Sequence, residues 1–85
     1  MQIKNFHRSM EKKMRYEIEV SASVPLVFRV ATKKEAVKQL RKVRSGAHSV
    51  MTNLENGMII EEAGNPKKLA ELIALEIEAM TSEKI

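Results

Sequence analysis

The sequence predicts an α+β fold of order ββαββα: a four-stranded antiparallel sheet with two helices packed on one face, preceded by a short N-terminal arm. Three observations carry that expectation. Two pairs of short segments alternate apolar and polar residues with the period of half-buried strands. Each pair is followed by a segment whose apolar residues recur three and four apart, the spacing of a helix face. Each of those segments opens with capping residues, Thr32 through Glu35 in the first and Asn65-Pro66 in the second.

The arm comes first. In MQIKNFHRSMEKK, residues 1–13, Ile3, Phe6 and Met10 fall at helical spacing, with Lys4, Arg8 and Lys12 on the other side. A helix this short is marginal alone in water. The arm is therefore expected to be flexible or a short helix, and residues 14–85 to form a single α+β domain.

Tyr16, Ile18 and Val20 alternate with Arg15, Glu17 and Glu19, which predicts the first strand. SASVP follows as a turn, because Pro25 has no N–H to give a ladder. Leu26, Phe28 and Val30 share one face of a second strand, and two strands so close in sequence form an antiparallel hairpin most simply.

The stretch KKEAVKQLRKVRSG carries six basic side chains and one acid. Thr32 and Glu35 have capping-box spacing, which predicts a Thr32 hydroxyl accepting from the Glu35 amide and a Glu35 carboxylate reaching back to the Thr32 amide. The helix is expected to reach about Arg44, with Gly46 as a left-handed stop. Ala36, Val37, Leu40 and Val43 form its apolar stripe; Lys34, Lys38, Arg41 and Lys42 lie opposite, with Lys33 and Arg44 at the ends.

AHSVMTNLENGMIIEE predicts a second hairpin. A three-residue Glu55-Asn56-Gly57 loop sets Leu54 against Met58 and places Val50, Thr52, Leu54, Met58 and Ile60 on one face. The open side of the sheet is then expected to carry Arg15, Glu17, Glu19, Val27, Arg29, Met51, Asn53, Ile59 and Glu61. That surface has no exposed pair of aromatics on which single-stranded bases could stack.

Asn65 as cap and Pro66 at the first helical position start the last helix, expected to run to about Met80. Leu69, Ile73, Ile77 and Met80 make the stripe that should meet the sheet, with Ala70 beside it. Leu72, Leu75 and Ala79 form a second stripe more than ~100° away, with Glu76 between the two. A monomeric surface helix normally needs one apolar face. The spare stripe is explained by the neighbouring helix, by the arm or by a second copy of the chain, and Leu72, Leu75 and Ala79 are the candidate homodimer interface.

Composition narrows the function classes. The chain has 85 residues, 44% of them hydrophobic, and its only aromatics are Phe6, Tyr16 and Phe28, so its core must be aliphatic. There is no cysteine, which excludes disulfides, thiolate metal sites and a cysteine nucleophile, and fits a cytoplasmic setting. No Asp occurs, which removes the usual Asp-rich sets for Mg²⁺ or Ca²⁺. No apolar run approaches the ~20 residues of a membrane span. Residues 1–45 hold twelve Lys/Arg against four Glu, a net +8, whereas residues 46–85 hold three Lys against seven Glu, a net −4. Such asymmetry points to an anionic partner or to complementary halves meeting within or between chains.

His7 and His48 lack metal-ligand spacing, the serines lack a nucleophile-elbow context, and the three glycines are scattered. His48 and Glu62 fall on one face near the open end of the second hairpin, an arrangement that suits acid–base chemistry but is commoner as plain surface. Neither a metal nor a cofactor is expected, and no enzyme. The sequence reads as a small protein-interaction or regulatory module, homodimeric through the last helix; its size alone suggests a phage or other mobile element. The alternative is a nucleic-acid-binding accessory protein that uses Lys34, Lys38, Arg41 and Lys42 on phosphates with little sequence preference; the same four residues also suit contact with an acidic protein surface.

Overall fold

The computed structural model describes residues 13–83, the last three of them as backbone only. The arm expected over residues 1–13 lies outside the described residues except for Lys13. Strands β1 (Tyr16–Val20) and β2 (Leu26–Val30) are followed by helix α1 (Lys33–Lys42), strands β3 (Ser49–Asn53) and β4 (Ile59–Ala63), and helix α2 (Pro66–Glu83). The four strands form one antiparallel sheet in the order β2-β1-β3-β4, which is the predicted ββαββα fold. No described helix is long and apolar enough to cross a membrane.

The first hairpin keeps the alternation read from its sequence. Tyr16, Ile18 and Val20 stand opposite Val30, Phe28 and Leu26, and this face turns toward the helices. Ile18, Val20 and Val30 join Leu40 of α1, Met51 of β3 and Leu69 and Ile73 of α2 in one aliphatic core. Each such side chain contributes about 1.5–3 kcal/mol by leaving water. Tyr16 and Phe28 pack at the margin of that core.

Both helix starts are capped as expected, with one change. The Glu35 amide donates to Thr32 Oγ1 at 3.1 Å, but the Glu35 carboxylate accepts from the Ala31 amide at 3.3 Å rather than from Thr32. At α2 the Lys68 amide donates to Asn65 Oδ1 at 2.7 Å. Helix α1 ends at Lys42, short of Arg44, because Val43 is already extended at φ −76° and ψ 122°. Gly46 is therefore not a helix stop; it lies in the following loop at φ +156°.

The second hairpin departs from its expected register. Asn53 pairs with Met58 around a four-residue loop, with its amide donating to the Met58 carbonyl at 2.9 Å. Asn53 Oδ1 accepts from the Glu55 amide at 2.7 Å, so the Asn side chain begins the turn one residue earlier than a loop built on Gly57 alone. Pairing with β1 then fixes the faces: Ile18 stands opposite Met51, and Val20 opposite Ser49. Met51 and Ser49 are fully buried, the Ser49 hydroxyl donating to the Ala47 carbonyl at 2.9 Å. Val50 and Thr52 go to the open face instead, the reverse of the expectation.

A bulge in β4 between the partners of Met51 and Thr52 adds a second change. Glu61 stands opposite Met51, on the helix side, while Ile60 also packs against the core. Both residues can face inward because a bulge interrupts the alternation of the pleat. The open face therefore carries Glu17, Glu19, Val27, Arg29, Val50, Thr52, Ile59 and Glu62, and it has lost Met51, Asn53 and Glu61.

Candidate functional site

The two helices run antiparallel. Lys33 at the start of α1 meets Glu76 of α2 at 3.1 Å, whereas the end of α1 lies beside the start of α2, where Arg41, Lys42, Val43, Arg44 and Lys67 line a common recess. A second recess adjoins it, lined by Val43, Arg44, Ser45, Gly46, Asn65, Pro66, Lys67, Lys68 and Glu71. Arg41, Lys42 and Arg44 reach this end because α1 stops early and its chain turns there; Lys67 and Lys68 reach it because Asn65 caps α2 at the same place.

Lys34, Lys38, Arg41 and Lys42 are all exposed, as the helical spacing predicted. None of them makes an ion pair with a described residue, and neither do Arg44, Lys67 and Lys68. Lys33 is different: its ammonium is held by Glu76 and does not belong to the free basic surface. Arg44 continues the stripe past the helix end, where the sequence placed it, and Lys67 and Lys68 enlarge the surface from α2, far away in sequence. Only the charges of residues 67 and 68, set in the acidic half of the chain, hinted at the latter.

Between the helices lies a shallow groove whose floor is Val37, Ala74 and Ile77. Lys34, Lys38 and Arg41 stand on its α1 side and Glu78 on its α2 side. The carboxylate limits how far an anionic partner can spread from α1 onto the middle of α2. The recess at Arg41, Lys42, Arg44 and Lys67 has no carboxylate in its lining, and Glu71 lines the one that adjoins it.

Helix α2 distributes its two stripes unequally. Leu69, Ala70 and Ile73 are buried and Ile77 is partly so, but Met80 is 57% exposed, against the expectation that it packs on the sheet. Length explains this: eighteen helical residues span about 27 Å, and five-residue strands span about 17 Å. The last turns of α2 overrun the sheet. On the other stripe Leu72 is half-buried, Leu75 is 60% exposed and Ala79 is exposed. Lys68, Leu72, Leu75 and Ala79 are spaced four, three and four apart, the seam spacing of paired helices. Helix α1 lies elsewhere against α2 and does not cover Leu75.

His48 and Glu62 do meet, with Nε2 2.9 Å from Oε1, on the open face of the sheet. Their side chains are 57% and 53% exposed, and the three recesses named above are lined by other residues. On the helix side, the Glu61 carboxyl is a neighbour of the Glu76 carboxylate, which Lys33 holds. Partial burial and the Glu76 carboxylate push the Glu61 carboxyl above its ordinary value, while the Glu62 amide and Lys33 pull it back. Among the described residues no cluster of three or more His, Cys, Asp or Glu could hold a metal ion.

Comparison with known proteins adds no relative: no family model matches the chain, and no curated protein or solved structure gives a match.

Proposed function

We propose that this chain is a small non-enzymatic protein-interaction module that pairs with a second copy of itself through the outer face of α2. The observation that carries the reading is Leu75, 60% exposed in the middle of an eighteen-residue helix whose other face already fills the core. A lone exposed leucine is ordinary; a seam of Leu72, Leu75 and Ala79 at heptad spacing is what a partner helix takes. The seam also suits self-pairing. Antiparallel about a two-fold axis beside Leu75, Leu72 of one copy lies against Ala79 of the other, a large residue over a small one.

Three side chains per copy bury much less than the ~1,600 Å² of a standard interface. Association is accordingly weak and concentration-dependent. Sedimentation equilibrium at protein concentrations from about 1 µM to 1 mM is expected to show a monomer–dimer transition with Kd in the micromolar range. Leu75→Glu is expected to give a folded monomer throughout. A wild-type chain that stays monomeric at the top of that range, or a dimer that survives Leu75→Glu and Ala79→Glu separately, overturns the assignment. The exposed setting of His48 and Glu62, outside the three recesses described, supports the non-enzymatic part of the reading.

A further inference from the structure

We infer that the basic recess at the end of the helix pair, continued along the outer face of α1, binds the phosphate backbone of a nucleic-acid duplex without reading its sequence. Four cations, Arg41, Lys42, Arg44 and Lys67, line one recess with no carboxylate among them, although they come from two elements more than twenty residues apart in the chain. None is paired with a described acid. A solvated helix face accounts for Lys34, Lys38 and Lys42 taken alone; it does not account for Arg44 and Lys67 closing the same surface from outside α1.

The dimensions fit a phosphate row. From Lys34 to Lys42 the stripe covers about 12 Å of helix axis, over which one strand of a duplex presents three to four phosphates at about 3.4 Å of rise each. Arg44 and Lys67 extend the row beyond the helix end. Chemistry selects against the other anionic partners. An acidic protein would need an apolar anchor; Val43 is the only apolar side chain lining the recess, and the apolar groove beside α1 carries Glu78 on its α2 side, which repels an acidic partner seated there. An anionic lipid surface would need apolar side chains standing out among the cations. Single strands would need a stacking platform, but Tyr16 and Phe28, the described aromatics, are packed against the core. Gln39 is half-buried and lies off the outer stripe, so no amide there reads base edges.

This surface is separate from the Leu75 seam, and its test does not depend on pairing. Fluorescence anisotropy with labelled 20-base-pair DNA and RNA duplexes of mixed sequence is titrated between about 50 and 200 mM salt. If all six cations engage, log K should fall against log[salt] with a slope of about −5, a loss of roughly a thousandfold over that range. Arg44→Gln with Lys67→Gln should weaken binding at least tenfold at the lower salt and make the slope shallower by about 2. Lys38→Gln with Lys42→Gln should do the same. Arg29→Gln, on the opposite face of the sheet, removes one charge and should change neither quantity by more than its share of the net charge. Unbound duplex at the lower salt overturns the inference. So does tighter binding to single strands of the same sequence, or an Arg29→Gln effect as large as that of the recess variants.

Discussion

Gly46 passes so close over Val20 that a Cβ at position 46 would run into Val20 Cγ1. Val20 is fully buried between β1 and the helices and has no room to retreat. The backbone of Gly46, at φ +156°, is also one that L side chains rarely adopt. Gly46→Ala is therefore expected to destabilise the fold by about 1–3 kcal/mol. Gly64→Ala is the control, since nothing stands within 4 Å of a Cβ there. Urea midpoints of the two variants should separate clearly; equal midpoints would show that the Gly46–Val20 approach is not tight.

The two caps sit at opposite ends of the antiparallel helix pair and share no partner. Thr32→Ala and Asn65→Ala should each cost about 1 kcal/mol, and the double variant should cost their sum to within about 0.5 kcal/mol. Chemical denaturation of the three variants measures this. A double variant no worse than either single one would mean that the two caps are coupled rather than independent.

Faces of β3 give a sharper test, because the register observed is the opposite of the one the hairpin's composition suggests. Met51→Lys puts a charge among Ile18, Leu69 and Ile73 and should unfold the chain, whereas Val50→Lys, on the open face, should cost less than about 1 kcal/mol. Far-UV circular dichroism of the two variants decides the matter. The reverse outcome would restore the three-residue loop.

That register shows where the sequence could be read and where it could not. Strand alternation in 16–20 and 26–30 is unambiguous, and both helix starts announce themselves through Thr32 and Asn65. In β3 either face offers apolar residues, Val50 with Thr52 or Met51 alone, and β-branched side chains favour strands whichever way they point. What tips the balance is the Asn53 side chain accepting from the Glu55 amide, together with Ser49 finding the Ala47 carbonyl, so that a small polar residue can be buried. Neither follows from periodicity. The basic stripe on α1 was legible for the same reason as the helix. Its extension to Lys67, beyond the Arg44 already read at its end, is a tertiary juxtaposition produced by the antiparallel packing of α1 on α2.

Glu61 makes a prediction about pH. Its carboxyl is held above the ordinary glutamate value of 4.5 by partial burial and by the neighbouring Glu76 carboxylate, with the Glu62 amide and Lys33 only partly compensating. A carboxyl whose folded value is raised favours the fold when protonated. That contribution is complete below 4.5 and is lost as pH rises through the raised folded value. Glu61→Gln keeps the protonated shape at every pH, so it should be more stable than wild type at pH 7, by less than about 1 kcal/mol for a group this exposed. The two proteins should converge on acidification. Thermal melts across pH 4 to 7 test the sign, and a Glu61→Gln chain less stable at neutrality would contradict it.

Lys67 separates folding from binding. Helix α1 carries Arg41 and Lys42 in its last turn, where cations complement the negative end of the helix dipole. Their presence therefore has a purely structural explanation. Helix α2 carries Lys67 and Lys68 at its positive end with no acid in its first turn, an arrangement that costs about 0.3–1 kcal/mol per charge. Lys67→Glu should accordingly raise the melting temperature and at the same time weaken duplex binding. Lys42→Glu should lower both. Paired melting and anisotropy measurements on the two variants distinguish the roles. If Lys67→Glu stabilises the fold and leaves binding intact, the lysine is an uncorrected local cost. Stabilisation with loss of binding means that the chain keeps an unfavourable charge at that end for the phosphate it meets.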